Sequence, residues 1–149
     1  MMIDHTMAPI VMADDDEEDL MMTEDALREN RVANPFIALY DGEALLDYLY
    51  RRGKFAGIKA HPLPCFVLLD LNMPKMDGRE ALKIIKSDPN LKKIPVIVLT
   101  TSRADEDIAR SYNTGANSYI AKPVTLDRLV EAMGTLKDYW LEIVELPED

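Results

Sequence analysis

Four places in the chain carry residues that could do chemistry together. They are Asp14 and Asp15 at the head of an acidic run that reaches Asp19, Asp70 in Leu69-Asp70-Leu71-Asn72-Met73-Pro74, Thr100 in Leu99-Thr100-Thr101-Ser102, and Lys122 in Ala121-Lys122-Pro123. Each has a plain reading alone: a solvated acid, a turn cap, a hydroxyl bonded to its own main chain, an exposed amine. Gathered in one place they change character. Two or three carboxylates within a few ångströms cannot all stay ionised without a counter-charge. An all-oxygen cluster suits a hard cation, and Mg²⁺ commonly takes one or two carboxylates plus waters and phosphate oxygens. Asp14, Asp15 and Asp70 bring a formal charge of −3, which Mg²⁺ and Lys122 would balance. A carboxylate is also a competent nucleophile toward phosphorus. Lys122 and the Thr100 hydroxyl could then steady the phosphoryl oxygens.

Whether the four places meet depends on the elements that carry them. Short apolar runs precede each one: Pro9 to Ala13, Phe66 to Leu69, Val96 to Leu99, and Ser118 to Ala121. Runs of this length read as strands buried on both faces. Phe36 to Tyr40 adds a fifth, after the break at Asn34-Pro35. Between them lie helical patterns, with Leu20, Ala26 and Leu27 as one inward face and Leu45, Tyr48 and Leu49 as another. Asp77-Gly78-Arg79-Glu80 has the form of a capping box ahead of Ala81, Leu82 and Ile85. Asp105-Glu106-Asp107 opens a helix that Gly115 stops. The last helix starts near Thr125, with Leu126, Leu129, Val130, Met133, Leu136 and Trp140 as its stripe. Strand and helix alternate five times, with connections too long for hairpins. This predicts an α/β fold, a doubly wound parallel sheet with right-handed crossovers. In such a sheet the strand ends share one edge, where ligands bind. The irregular stretch from Gly53 to Pro64 should lie at the opposite edge, with His61, like His5, a solvent-exposed residue.

Composition narrows the classes. A chain of 149 residues suits one domain, and 48% apolar residues argue against disorder despite a net charge of −10. No apolar run approaches the roughly 18 residues of a membrane span. The N-terminus lacks the basic flank and apolar region of a signal peptide. The lone Cys65 excludes an internal disulfide and fits a reducing cytoplasm; at the start of a buried strand it reads as a small core residue. A pI near 4.6 weighs against nucleic acid as a partner, because phosphate neutralisation needs clustered Lys and Arg.

Taken in order, these motifs resemble the receiver domains of two-component response regulators. The pattern is an acidic pair after strand one, Asp70-Leu71-Asn72-Met73-Pro74-Lys75-Met76-Asp77-Gly78 after strand three, Thr100 after strand four, and Lys122-Pro123 after strand five. The likeness covers Pro9 to Leu136. It implies a flavodoxin-like receiver fold with strand order 2-1-3-4-5, a phosphoacceptor at Asp70, and a phosphate-binding lysine at Lys122. It further implies Asp15 as direct Mg²⁺ ligand, Asp14 acting through water, and the Asn72 backbone carbonyl completing the set. A slip by one residue would give Asp15 and Asp16 as the acidic pair; the preceding apolar run favours Asp14 and Asp15. Thr100 resembles the switch hydroxyl and Tyr119 the aromatic that follows it. Asn72 and Ser102 stand where family members tune phosphate hydrolysis.

Residues 1–8 read as an arm, 9–138 as the receiver domain and 139–149 as a tail, with no output domain. Output then falls to protein contacts, self-association or onward phosphotransfer. Lys83 to Pro95, Ser111-Tyr112 and the apolar tail Tyr139-Trp140-Leu141 resemble the stand-alone regulators paired with phytochrome-type histidine kinases, which implies such a kinase as partner and a homodimer. The alternatives are a phosphorelay intermediate or phosphate sink, and an aspartyl-phosphate phosphatase. A phosphatase would want a second Asp two residues after the nucleophile, where this chain has Asn72. A flavodoxin-like nucleotide binder would want a Gly-rich loop after strand one, and none is there.

Overall fold

The computed structural model describes residues 8–58, 62–101, 104–122 and 125–138. His5, His61, Ser102, Trp140 and the rest of the tail lie outside them. Five parallel strands alternate with five α-helices, in the chain order β1 (Ile10–Ala13), α1 (Glu17–Glu29), β2 (Phe36–Leu39), α2 (Gly42–Tyr50), β3 (Phe66–Leu69), α3 (Gly78–Ser87), β4 (Val96–Thr100), α4 (Asp105–Thr114), β5 (Ser118–Ala121) and α5 (Leu126–Leu136). The strand order is β2-β1-β3-β4-β5, the order expected of a receiver fold.

Period-two alternation sorts the strand residues into two cores. Val11, Ala13, Val67, Leu69, Val96 and Val98 face Leu45, Leu46, Leu82 and Ile85 of α2 and α3. Ile10, Met12, Phe66, Leu68, Ile97 and Leu99 face Leu20, Ala26, Leu27, Leu129 and Met133 of α1 and α5. Both faces are covered, which is why the strands read as unbroken apolar runs. Cys65 belongs to the second core, and its thiol donates to the Pro9 carbonyl at 3.4 Å.

The helix starts follow from side chains that accept backbone N–H groups. Asp16 caps α1, Asp41 caps α2, Asp77 caps α3 and Thr125 caps α5. Helix α1 thus begins at Glu17, three residues ahead of the apolar pattern, because Glu17, Glu18 and Asp19 suit the positive end of the helix dipole. The Asp77 carboxylate accepts from Arg79 N–H at 2.7 Å, one residue earlier than a capping box uses. Leu126 is 42% exposed, so it stands outside the α5 stripe; Leu129 and Met133 carry the burial. Gly53–Ile58 forms a 3₁₀ helix within the stretch expected to be irregular.

Two glycines fix the approach of the β3–α3 loop to its neighbours. A Cβ on Gly78 would overlap the Asp70 carbonyl oxygen, and one on Gly42 would overlap that of Met76. The start of α3 therefore rests on the backbone of Asp70 itself, and the start of α2 rests on the loop's far side.

Candidate functional site

The parallel register brings the strand ends together. Ala13 pairs with Leu69, and Asp70 N–H donates to the Ala13 carbonyl at 3.0 Å, so Asp14 and Asp70 leave the sheet side by side. Thr100 pairs with Ala121, and Lys122 N–H donates to the Thr100 carbonyl at 2.7 Å. Asp14, Asp70, Thr100 and Lys122 are all buried.

One ammonium organises the carboxylates. Lys122 Nζ lies 2.6 Å from Asp14 Oδ2, 2.7 Å from Asp19 Oδ2 and 3.2 Å from Asp70 Oδ2. The second oxygen of each buried acid is held by its own turn: Asp14 Oδ1 accepts from Asp16 N–H at 2.8 Å, and Asp70 Oδ1 from Asn72 N–H at 3.1 Å. Burial raises the Asp14 carboxyl to about 6, even though Lys122 and the Asp16 N–H pull it down. For Lys122, burial works against the ammonium, but its bonds to Asp14 and Asp19 outweigh that and hold it above its ordinary value. Lys122 is therefore cationic at neutral pH.

Asp15 is exposed, yet one oxygen of each of Asp14, Asp15 and Asp70 lies within 4.8 Å of the others. Asp16, the other candidate for the acidic pair, is committed to capping α1 through Glu18 N–H at 2.9 Å. Of these acids, Asp14 and Asp15 are the ones grouped with Asp70. Three carboxylates with a single ammonium beside them are an all-oxygen, electron-rich donor set, and it fits a hard divalent cation.

Thr100 is buried and Thr101 exposed, which separates the two adjacent hydroxyls. The Asn72 side-chain amide donates to Thr100 Oγ1 at 3.4 Å, and its oxygen accepts from Arg79 Nη1 at 3.5 Å. Tyr119 pairs with Val98, two residues before Thr100 on β4, and packs half-buried against the same core as Val98. Tyr119 and Thr100 thus share one face of the sheet.

Two contributors were missed by the sequence reading. Asp19 was counted only as part of an acidic run, yet it supplies a third carboxylate to Lys122. The signal was its position: one helical turn beyond Asp15 at the start of α1, a helix that packs on the face to which Ile120, two residues before Lys122, also points. Arg79 is the other. It binds Asp107 twice, at 2.9 and 2.7 Å, and reaches Asp77 and Asn72. The bonds to Asp107 and Asp77 raise its pKa further, and those to Asp107 tie the start of α3 to α4.

Comparison with known proteins agrees with this geometry. The family described as "Response regulator receiver domain" matches residues 10–134. The response regulator Rcp1 of Synechocystis sp. is 38% identical over 138 residues, covering 93% of this chain and 92% of that protein. The phosphorylated cyanobacterial phytochrome response regulator RcpA superposes with a TM-score of 0.84 at 38% identity, over 95% of this chain and 99% of its own. The Mn²⁺-bound form of Rcp1 gives 0.82 at 37%, over 94% and 99%. Such domains are signalling switches and not enzymes in the usual sense. The chain belongs to the response regulator receiver domain family, and its relatives include phytochrome response regulators.

Proposed function

We propose that the chain is a response regulator that accepts one phosphoryl group on Asp70 from a histidine kinase of the phytochrome type. The observation that carries this reading is the Lys122 ammonium held between Asp14 and Asp70 in a buried cluster at the strand ends. One Asp70 oxygen attacks phosphorus in line. The P–N bond to the kinase histidine breaks, and the imidazole leaves with the electron pair. Lys122 and the Thr100 hydroxyl bind phosphoryl oxygens that the transfer brings to Asp70. Asp15 directly, Asp14 through water, an Asp70 oxygen and the Asn72 carbonyl would hold Mg²⁺, whose charge when bound offsets that of the phosphoryl group.

A signal needs a differential interaction with two conformations. Thr100 moving toward the phosphoryl group would vacate space on the face it shares with Tyr119, and Tyr119 turning inward would fill it. Residues 9–138 form the switching unit, 1–8 an arm, and 139–149 an apolar tail that serves homodimer or partner contact in the cytoplasm. Asn72 is engaged with Thr100 and Arg79 and offers no general acid, which disfavours the phosphatase alternative.

Incubation with Mg²⁺ and acetyl phosphate, read by intact mass, tests the assignment. One phosphate should appear on the protein and none on Asp70→Asn. Labelling of Asp70→Asn at the wild-type level would sink it. Phosphorylated Thr100→Ala should bind a partner, or a second copy, no better than the unphosphorylated protein. Full phosphorylation-dependent binding by that variant would remove Thr100 from the switch. Phosphotransfer from a panel of histidine kinases, ranked by rate, identifies the donor class.

A further inference from the structure

The site contains one carboxylate more than the proposed chemistry uses. Asp19 comes from α1, not from a strand end, and its Oδ2 lies 2.7 Å from Lys122 Nζ. An ammonium has three protons to donate. Here three carboxylates surround it, and the contacts are unequal: 2.6 Å to Asp14, 2.7 Å to Asp19 and 3.2 Å to Asp70. The longest is to the proposed phosphoacceptor. Asp14 and Asp19 therefore draw the lysine toward α1 and away from Asp70. Asp14 belongs to the cation set, and its charge is shared once a cation binds. Asp19 lies outside that set, so its attraction for Lys122 persists.

We propose that Asp19 is a positioning residue that acts through Lys122, holding the ammonium back so that an Asp70 oxygen stays open to the divalent cation and to phosphorus. The consequence for phosphorylation rests on the reading of Asp70 as phosphoacceptor; the consequence for cation binding does not. Without the Asp19 charge, Lys122 closes on Asp70 Oδ2 and competes with the cation for that carboxylate. In phosphorylation by an acyl phosphate, an Asp70 oxygen forms the new P–O bond as the donor's P–O bond breaks, and the donor carboxylate leaves with the electron pair. A lysine closed on Asp70 blunts the attacking oxygen.

The test is a Mg²⁺ titration of four full-length proteins: wild type, Asp19→Asn, Lys122→Ala and the double variant, with folding checked by circular dichroism. Asp19→Asn should weaken Mg²⁺ binding roughly threefold or more, within the range of couplings between groups that share a partner. In the Lys122→Ala background the same change should alter affinity less than about twofold, as expected when the partner is gone. Asp19→Glu, which keeps the charge, should recover most of the wild-type affinity, and Asp19→Ser replaces Asp19→Asn should the latter not fold. An equal loss in both backgrounds would make Asp19 a general source of negative field, and no loss in either would give it no part in the site; each overturns the proposal. Labelling by acetyl phosphate at saturating Mg²⁺ should be slowed in Asp19→Asn. If wild type takes no phosphate on Asp70, the phosphoacceptor reading fails, while the Mg²⁺ coupling is decided independently.

Discussion

At the scale of single residues, the fold gives adjacent groups of the same chemistry different environments. Asp14 and Asp15, or Thr100 and Thr101, differ by one position in sequence and by complete burial in the fold. Cys65 shows the same effect without any chemistry to perform. Burial pushes its thiol up to about 12, well above the free value, so the thiolate is absent from the folded protein at neutral pH. Iodoacetamide at pH 8 should leave Cys65 unlabelled in the folded protein and label it fully in denaturant, as mass spectrometry would show. The sign of the linked pH effect is fixed too. The folded thiol binds its proton more tightly than the unfolded one, so this contribution to stability is intact below pH 9 and is lost as pH rises toward 12. Denaturant midpoints of wild type and Cys65→Ala should converge over that range.

At the scale of elements, the site is an edge feature of a sheet held square by close backbone contacts. Helix α3 can start where it does because residue 78 has no Cβ to meet the Asp70 carbonyl. Gly78→Ala forces apart two backbone segments that cannot yield as a flexible side chain would. It should cost about 2 kcal/mol or more, in the range of overpacked cores. Urea unfolding checks the stability, and the same variant should show weaker Mg²⁺ binding because Asp70 and Asn72 move with the turn. Helices α1 and α5 are locked in a comparable way: Asn30 Nδ2 donates to the Val130 carbonyl at 2.8 Å, and Lys137 Nζ donates to the Asn30 carbonyl at 2.8 Å. That lock sets α1 on the face of the sheet where Asp19 meets Lys122.

At the scale of the whole molecule, net charge and site charge act together. The chain carries −10, and four of its acids crowd one ammonium or its immediate neighbourhood. A cation that binds only the folded state relieves this repulsion and stabilises by mass action, about 2.7 kcal/mol at a concentration 100 times its dissociation constant. The thermal midpoint should therefore rise by about 5–11 °C on adding Mg²⁺ at 100 times its dissociation constant. Asp15→Asn, a change at an exposed position, should abolish most of that rise. A full rise in the variant would remove Asp15 from the cation set. Among the described residues no helix is long and apolar enough to cross a membrane.

How much of this was legible in the chain depends on the length scale of the signal. Strand runs, the Asp77 cap, the helix start near Thr125, and the order of Asp14, Asp70, Thr100 and Lys122 are local patterns, and alternating β and α elements admit few topologies. Their convergence at one sheet edge followed from the fold class alone. The start of α1 at Glu17 and the exposure of Leu126 were not legible, because dipole and tertiary packing override apolar periodicity at helix ends. Nor was the role of Asp19 within a run of six acids that all look solvated. Sequence spacing determined which residues could serve an aspartyl-phosphate chemistry. Only the tertiary structure decided that a third carboxylate, carried by α1 and not by a strand, shares the lysine, because which acid meets a buried ammonium is settled by helix packing and not by distance along the chain.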